Sequence, residues 1–340
     1  MSAADPTARP WIPPMQAVSG ELPRGGGWAF ELKWDGMRIQ ARTDPPTGVT
    51  LTARSGRDVT GQFPELAGFA AALGTTAVLD GEVVVFDGDR PSFERLGQRI
   101  HVGNPAPGLV AAHPVVYLIF DLLELDGRSL TGLTYRQRRG LLDALVDPGP
   151  HWRAPPAVEG DGDRLLAMAR RRRLEGVMAK RLDSPYRPGV RSDEWRKVKL
   201  RAQQEFVVGG WLPGQGRLAG DLGSLLLGVH DDGLLFVGAV GSGIGDRDRP
   251  LLGERLIPTD QCPFTDRPEV PRPPVWVEPT VVVEVAYGAW PPDGHLRHPT
   301  YLGLCPDHDP GRVVREPLPD STVPDPTVPD PTVPMKRGEG

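Results

Sequence analysis

The amino-acid sequence predicts an α+β protein built from two successive domains. Its 340 residues are enough for two sizeable hydrophobic cores. Between residues 28 and 200, β-rich runs alternate with helical patterns, which indicates a mixed first domain. From residue 205 onward, short strand-like runs are broken by glycines, which is typical of a small β-barrel. We therefore expect one domain over residues 25–202 and a second over residues 203–316.

The elements of the first domain follow from the spacing of its apolar residues. Residues 1–24 are rich in proline and glycine, which predicts an extended lead-in, so the folded unit is expected to begin at Trp28. The predicted strands are 28–33, 48–53, 77–86, 115–123, 176–181 and 195–200. The predicted helices are 63–73, 134–146 and 163–173.

The second domain is predicted to contain strands at 206–211, 224–230, 234–240 and 281–290. Asp231-Asp232-Gly233 predicts a tight hairpin between the second and third of these. Residues 317–340 then contain three near-copies of a proline-rich unit of five residues. Because proline at that density cannot build a core, we expect a disordered, extended tail that acts as a linker or binds a partner.

The charge distribution narrows the class of protein. A formal net charge of −5 argues against an evenly basic nucleic-acid binder. Residues 164–201, however, hold 13 Lys and Arg against four acids, which indicates a basic face suited to a phosphate backbone. For the run 170–173, a solvated helix face is an equal alternative.

Cysteine spacing and hydropathy exclude other classes. Cys262 and Cys305 lack the spacing of a metal site, so neither a disulfide framework nor a zinc site is expected. No stretch of the sequence is apolar enough for a signal peptide or a membrane span. We expect a cytoplasmic, nucleoid-associated protein.

The run E-L-K-W-D-G-M-R at residues 31–38 suggests a nucleophilic lysine. In a strand over residues 28–33, Lys33 and Glu31 share the face opposite the apolar side chains. By the same alternation Lys197 and Lys199 share one face of the last strand of the domain, so two cations can aim at one phosphate site. Because K-x-D-G is a short pattern, this run on its own would usually be a solvated hairpin end.

Five further motifs follow in order. They are R-S-G at 54–56, L-D-G-E at 79–82, Y-L-I-F-D at 117–121, E-G-V-M-A-K at 175–180 and W-R-K-V-K at 195–199. With this ordered set, the chain closely resembles the ATP-dependent DNA ligases of the covalent nucleotidyltransferase superfamily, which also includes RNA ligases and mRNA capping enzymes. Residues 27–30, 91–93 with 98–99, and 297–299 resemble bacterial ligases associated with double-strand break repair. The resemblance covers residues 10–316.

The resemblance implies a fold and a reaction. The fold would be an adenylation (nucleotidyltransferase) domain of antiparallel sheets and helices, followed by an OB-fold β-barrel domain. Lys33 would attack the α-phosphorus of ATP and hold AMP as a phosphoramidate, pass AMP to a DNA 5′-phosphate, and let the 3′-hydroxyl seal the strand. Lys197 and Lys199 would assist this attack by stabilising the charge that grows on the α-phosphate. Because the ordinary lysine pKa is about 10.4, we expect these cations and a divalent ion to lower the pKa of Lys33.

The resemblance also assigns the ligand contacts. The implied ATP-binding set is Glu31, Arg38, Arg54, Glu82, Phe120, Met178, Lys197 and Lys199. In this set Glu31 would accept a hydrogen bond from the adenine 6-amino group, and Phe120 and Met178 would pack on the base. Arg38 and Arg54 would bind ribose and phosphate oxygens, and Glu82 the ribose hydroxyls.

Metal and DNA contacts follow from the same resemblance. Glu175, and after it Glu82, would hold Mg²⁺, with Mn²⁺ as the alternative ion. Arg191 and Arg196 are the expected DNA contacts. Asp35 would shape the turn after the nucleophile.

The sequence departs from the family where the barrel should end in an R-x-D-K-type motif that binds the leaving pyrophosphate. Here the stretch is Leu304-Cys305-Pro306-Asp307-His308. A thiol cannot donate like a guanidinium, and histidine is mostly neutral near pH 7. We expect slow self-adenylylation, or replacement of the missing cation by Arg297 or Arg312.

The expected partners are nicked or broken duplex DNA, a Ku-type end-binding protein and a separate repair polymerase, with a monomer as the default state. Neither a DNA-encircling domain before Trp28 nor a fused polymerase or nuclease is expected. Two alternatives stay open: an RNA ligase or capping enzyme, and a catalytically impaired relative that binds nicks.

Overall fold

The computed structural model describes residues 11–316 except residues 101, 173, 201 and 292. The predicted tail and the first ten residues of the predicted lead-in lie outside this part of the chain. Within it the chain forms two mixed sheets with helices and then a curled sheet, so the predicted α+β class is confirmed.

The first part of the chain contains twelve strands and five α-helices among the described residues. The strands are β1 (Gln16–Ser19), β2 (Trp28–Lys33), β3 (Met37–Asp44), β4 (Gly48–Ala53), β5 (Ala77–Asp87), β6 (Arg90–Pro91), β7 (Val115–Leu125), β8 (Arg128–Ser129), β9 (Trp152–Arg153), β10 (Val158–Glu159), β11 (Gly176–Arg181) and β12 (Arg191–Lys199). The helices are α1 (Phe69–Leu73), α2 (Phe93–Gly97), α3 (Pro107–Ala112), α4 (Tyr135–Leu145) and α5 (Gly162–Arg171). Short 3₁₀ turns at Thr60–Gln62 and Pro64–Leu66 precede α1.

The first sheet, sheet I, has the strand order β1-β12-β11-β2-β10. Its central strands pair antiparallel, whereas β1 pairs parallel with β12. One face is covered by α5, whose Leu165 and Ala169 pack with Phe30 and Val177. The Asp161 side chain caps the N-terminus of α5 by accepting from the backbone of Arg164. The opposite face of sheet I is therefore left to form a site.

The second sheet, sheet II, has the order β4-β3-β5-β7-β8, with β6 on β5 and β9 on β7. Its core contains Phe69 of α1 and Leu142 of α4. Residues 34–36 connect β2 of sheet I directly to β3 of sheet II. Gly36 is required there, since a Cβ atom would lie 2.3 Å from the Val83 carbonyl oxygen. The two sheets thus form the two walls of one cleft.

The curled sheet consists of β13 (Gln203–Pro213), β14 (Leu222–His230), β15 (Leu234–Val240), β16 (Val275–Ala286) and β17 (Thr300–Leu304), in the order β15-β14-β13-β16-β17. Its edges approach each other, because the Tyr301 amide donates to Ser242 O at 2.9 Å and the Leu296 amide to Val237 O at 2.8 Å. Helix α6 (Asp248–Arg255) lies between β15 and β16 in sequence, after a 3₁₀ turn at Gly216–Leu218 in the β13–β14 connection. A last 3₁₀ turn, Pro310–Arg312, follows β17. This closure is the predicted OB-type barrel.

One predicted boundary is wrong. The folded unit was expected to begin at Trp28, but β1 already belongs to sheet I and Met15 is fully buried. The Met15 amide donates to the Tyr186 hydroxyl at 3.0 Å, which fixes the residues before β1 to the domain. No helix in the part of the chain that the structure describes is long and apolar enough to cross a membrane.

Candidate active site

The register of sheet I brings three separate motifs onto one face. Glu31 of β2 pairs with Met178 of β11, which pairs with Lys197 of β12. Two residues further along each strand, Lys33 of β2 and Lys199 of β12 are both paired with Gly176 of β11. We call the side of sheet I opposite α5 the pocket face, defined by Glu31, Lys33, Met178, Lys180, Trp195, Lys197 and Lys199.

Gly176 leaves the space between Lys33 and Lys199 open. Its backbone has a φ of 157°, and a Cβ atom would lie 2.0 Å from the Val198 carbonyl oxygen. Any other residue would therefore strain the strand and fill the gap between the two lysines.

Lys33 makes an ion pair with Glu175, the residue before β11. Burial acts to lower the pKa of Lys33, but the Glu175 carboxylate outweighs it and raises that pKa above the ordinary lysine value. The expectation that Lys197, Lys199 and a divalent ion lower this pKa leaves out the direct contact with Glu175, which acts in the opposite direction. A free amine at Lys33 therefore requires Glu175 to be drawn away.

Glu31 lies at the base of the cleft and is 5% exposed. Lys180 donates to its two carboxylate oxygens at 3.0 and 2.8 Å, and the Tyr135 hydroxyl of α4 donates to one of them. Phe120 and Met178 both line the cleft and pack together in a small cluster with Trp195. The three residues expected to contact the base therefore lie together.

The sheet II wall contributes Arg38, Glu82 and Phe120. Arg38 makes a bidentate pair with the buried Asp80 at 3.0 and 2.7 Å and also donates to Met15 O and the Tyr186 hydroxyl. These bonds use most of its donors, so Arg38 supports the wall as well as lining it.

Burial raises the pKa values of two carboxyl groups near Lys33. Burial, followed by the neighbouring Glu175, raises the pKa of Asp35 to about 7. Burial likewise raises the pKa of Glu82 to about 8. Asp35 lies in the link between the sheets as expected, and it also lines the cleft.

The barrel and the segment after it place three acidic residues at the cleft. Glu205 of β13 and Glu284 of β16 are paired across the barrel strands and line the cleft. Burial raises the pKa of Glu284 to about 8, with Asp35 adding to the effect. The third acid, Glu316, makes ion pairs with Lys197 and Lys199, the latter at 3.3 Å, and accepts from the Ser19 hydroxyl at 3.0 Å.

The stretch that departs from the family motif, residues 304–308, packs against the turn that follows β4. Asp307 accepts from Ser55 at 2.9 Å and pairs with Arg57 at 3.1 Å. The His308 ring lies 2.7 Å from Arg54 and 3.1 Å from Glu205, while Cys305 is buried. The guanidinium of Arg54 thus occupies this corner of the cleft.

Other predicted cations divide between the cleft and the surface. Arg312 and Arg191 line the cleft, with Arg191 bonded to Ala17 O and Gln16. Arg196 points to the other side of β12, where it lies 5.2 Å from the Trp28 ring centroid. Arg297 makes an ion pair with Asp293, and both side chains are about half exposed, 50% and 46%.

Sequence reasoning missed several residues that line the cleft or contact its lining. Lys180 had a signal, because it ends the E-G-V-M-A-K motif and alternates in phase with Met178. Tyr135, Glu205, Glu284 and Glu316 had none, since their contacts join segments about a hundred residues apart, such as 104 for Tyr135 and Glu31.

Comparison with known proteins agrees with this architecture. A family model described as ATP dependent DNA ligase domain matches residues 14–199, and one described as ATP dependent DNA ligase C terminal region matches residues 218–308. The multifunctional non-homologous end joining DNA repair protein LigD of Mycobacterium tuberculosis is 41% identical over 318 residues, which cover 90% of this chain and 40% of that protein. A probable DNA ligase of Streptomyces avermitilis is 34% identical over 292 residues, covering 82% of this chain and 56% of that protein.

A solved structure of a mycobacterial DNA ligase D complexed with ATP and MES superposes with a TM-score of 0.64 at 40% identity, covering 90% of this chain and 98% of that one. The chain spans about two fifths of the length of the LigD relatives that it matches. The first family model alone covers more than half of the chain. The protein therefore belongs to the ATP-dependent DNA ligase family.

Proposed function

We propose that the protein is an ATP-dependent DNA ligase that seals nicks or breaks in duplex DNA through a lysyl-AMP intermediate, and that it acts in end-joining repair. The observation that carries the proposal is the pair of rows on the pocket face. They align the nucleophile Lys33 and the base-pocket residue Glu31 with the phosphate cations Lys199 and Lys197 on adjacent strands.

The chemistry follows from these positions. The Lys33 ammonium gives up a proton to water, and the resulting amine can attack the α-phosphorus of ATP. A cation held by Glu175 would weaken the ion pair that favours the ammonium form. The Lys33 N–P bond forms, the bond to the β-phosphate oxygen breaks, and pyrophosphate leaves. Lys197 and Lys199 stabilise the charge that develops on the α-phosphate oxygens. The DNA 5′-phosphate then displaces Lys33, and the 3′-hydroxyl displaces AMP.

The acidic residues fit a magnesium ion. Burial raises the pKa of both Glu82 and Asp35, and Glu175 faces the same space. Among the described residues no group of three or more ligating side chains is preassembled. Mg²⁺ commonly binds through one or two carboxylates and substrate phosphates, so Glu175 and Glu82 would hold it together with ATP. The ion would supply Lewis-acid stabilisation of phosphate charge.

The base pocket supports ATP as the nucleotide. Glu31 offers carboxylate oxygens to the adenine 6-amino group, and Phe120 and Met178 supply apolar surfaces for the ring. Arg54 would contact the outer phosphates, whereas Arg38 would mainly hold the wall in place.

The DNA contacts and partners rest on analogy. Arg191, at the mouth of the cleft, is the better of the two expected DNA contacts, because Arg196 packs on Trp28. The name of the M. tuberculosis relative describes an end-joining repair protein, which favours broken ends as substrate and a Ku-type protein and a polymerase as partners. A monomer suffices for this scheme.

The test is covalent labelling. Purified protein freed of bound AMP is incubated with α-labelled ATP or GTP and Mg²⁺, then denatured. We expect label from ATP on the wild type and on the control Arg171→Ala, an exposed cation on α5, and none on Lys33→Ala. A nicked duplex should then be sealed. Absence of label together with retained nick binding would replace this proposal with the nick-binding alternative.

A further inference from the structure

The lead-in, together with the start of β1, forms part of the rim of the cleft. At one end the Trp11 ring packs on Gly56 in the turn after β4, where a Cβ atom would lie 3.5 Å from the ring. At the other end Gln16 donates its amide to Val190 O at 2.9 Å and accepts from the Arg191 guanidinium at 3.0 Å. We call this surface the lead-in rim, defined by Trp11, Gln16, Val190 and Arg191. It borders the cleft, because Gln16 and Arg191 line it.

Exposed apolar side chains are concentrated at the lead-in rim. Among the described residues five large apolar side chains are exposed, and two of them, Trp11 at 37% and Val190 at 46%, belong to the rim. A third, Val314 at 47%, lines the same cleft. Because exposed apolar residues scattered singly are ordinary, their concentration at one cleft indicates a contact surface.

Cations flank this apolar surface. Arg191 is exposed and donates to neutral acceptors, Ala17 O at 3.2 Å and the Gln16 side chain, which do not neutralise its charge. At the Trp11 end, Arg54 lines the cleft. Guanidinium groups pair with phosphates, and an exposed aromatic ring packs on a base or a sugar. Arginines beside an exposed ring are therefore typical of a surface that binds a nucleic-acid strand.

We propose that the lead-in rim is a DNA-binding surface, in which Trp11 packs on a deoxyribose of the nicked duplex and Arg191 pairs with a neighbouring phosphate. The bases of paired DNA are stacked inside the duplex, so the deoxyribose is the apolar group that an exposed ring reaches first. This inference rests on the proposed function, since it concerns how the DNA is held while its 5′-phosphate is at Lys33. The rim then contributes to DNA affinity, whereas self-adenylylation involves no DNA.

The test measures the Kd of a nicked duplex by fluorescence polarisation at several salt concentrations, with a dideoxy 3′ end that blocks sealing. We expect Trp11→Ala to raise the Kd about tenfold, as loss of a ring packed on a nucleotide does. The salt dependence should stay the same, because this variant loses no phosphate contact. Arg191→Ala should raise the Kd and also lower the slope of log Kd against log salt by about 1. Lys33 of Trp11→Ala should still take label from ATP.

Two further variants separate binding from packing. Leu141→Ala is the matched control, because Leu141 on α4 is 38% exposed and lies outside the rim, and it should leave the Kd unchanged. If Trp11→Ala does not fold by thermal melting, Val190→Asp places an acid at an exposed position of the rim. It should raise the Kd at low salt by repelling phosphates, and Leu141→Asp should not.

The outcomes are distinct. If the wild type takes no label from ATP but its nick binding depends on the rim as described, the proposed function fails and the rim is supported. If Trp11→Ala and Val190→Asp bind the nicked duplex as tightly as the wild type, the inference is overturned, whatever the labelling shows. A wild-type dimer that dissociates in Trp11→Ala, with unchanged DNA binding, would assign the rim to contact between copies and would also overturn it.

Discussion

One carboxylate oxygen of Glu316 lies 3.3 Å from the ammonium of Lys199, where the proposed reaction needs a phosphate oxygen. The other oxygen contacts Lys197, and the Glu316 amide donates to the Gln204 side chain at 2.9 Å. Although burial acts in the opposite direction, Glu316 raises the pKa of Lys199. An acid of the protein thus pairs with both of the lysines for which we propose a phosphate-binding role.

Replacing this acid should strengthen ATP binding. In Glu316→Gln the competing negative charge is gone, so we expect the KM for ATP in self-adenylylation to fall by about fivefold, or about 1 kcal/mol, with little change in kcat. Steady-state labelling at several ATP concentrations measures this. Glu278→Gln, an exposed acid on β16, is the matched control. An unchanged KM in Glu316→Gln would show that the ion pairs do not compete with ATP.

The buried acids predict a pH dependence of stability. Burial raises the pKa of Glu284 and of Glu82 to about 8 in the folded protein, against 4.5 for an unperturbed glutamate. An acid with a raised folded pKa contributes its stability below the unfolded value and loses it as pH rises through the folded value. We therefore expect the nucleotide-free protein to lose about 1–3 kcal/mol of unfolding free energy between pH 5 and pH 8.5.

Urea unfolding at several pH values and constant ionic strength gives the slope of the unfolding free energy against pH. Glu284→Gln removes one titrating group, so its stability should fall less steeply with pH than that of the wild type. Equal slopes for the two proteins would mean that Glu284 does not titrate in this range.

Gly176 should tolerate no side chain. In Gly176→Ala the new Cβ atom would lie 2.0 Å from Val198 O at a φ that favours glycine, so β11 must shift. We expect a loss of about 3 kcal/mol or more of unfolding free energy and loss of self-adenylylation. Gly108→Ala is the control, since its Cβ would meet no atom within 4 Å. Equal urea midpoints for the two variants would contradict this account.

The missing cation of the family motif should be supplied by Arg54. Its guanidinium lies against His308 in the cleft, whereas Arg312 pairs with Asp309 at 3.4 Å. We expect Arg54→Ala to slow single-turnover self-adenylylation by about thirtyfold, or about 2 kcal/mol, and Arg312→Ala or Arg297→Ala to change it by less than about threefold. A larger effect of Arg312→Ala would assign the role to that residue instead.

The strands that carry motifs were predictable because their apolar residues alternate. β2, β4, β11 and β15 have the predicted bounds, and the shared face of Lys197 and Lys199 follows from the period of two. β3 escaped prediction because Arg38, Gln40 and Arg42 interrupt it with polar side chains that face partners in sheet II and the lead-in.

The ion pairs that shift the pKa values of the site lysines could not be predicted from the sequence. The pKa of Lys33 depends on Glu175, which is 142 residues away in the chain but adjacent through the register of β2 and β11. Glu316 and Lys197 are separated by 119 residues and meet only because the barrel closes over the cleft. Periodicity predicts which face a side chain takes, but not which segment folds over that face.

Strand pairing also fixes a distance along the row formed by Lys33, Gly176 and Lys199. Lys33, the proposed nucleophile, and Lys199, the proposed phosphate cation, are two strand spacings apart, about 10 Å between backbones, because adjacent strands lie about 4.8 Å from each other. Backbone hydrogen bonds fix that interval in every β-sheet, whatever the side chains beneath it. Substitutions in the core under α5 can therefore leave the backbone interval between Lys33 and Lys199 unchanged.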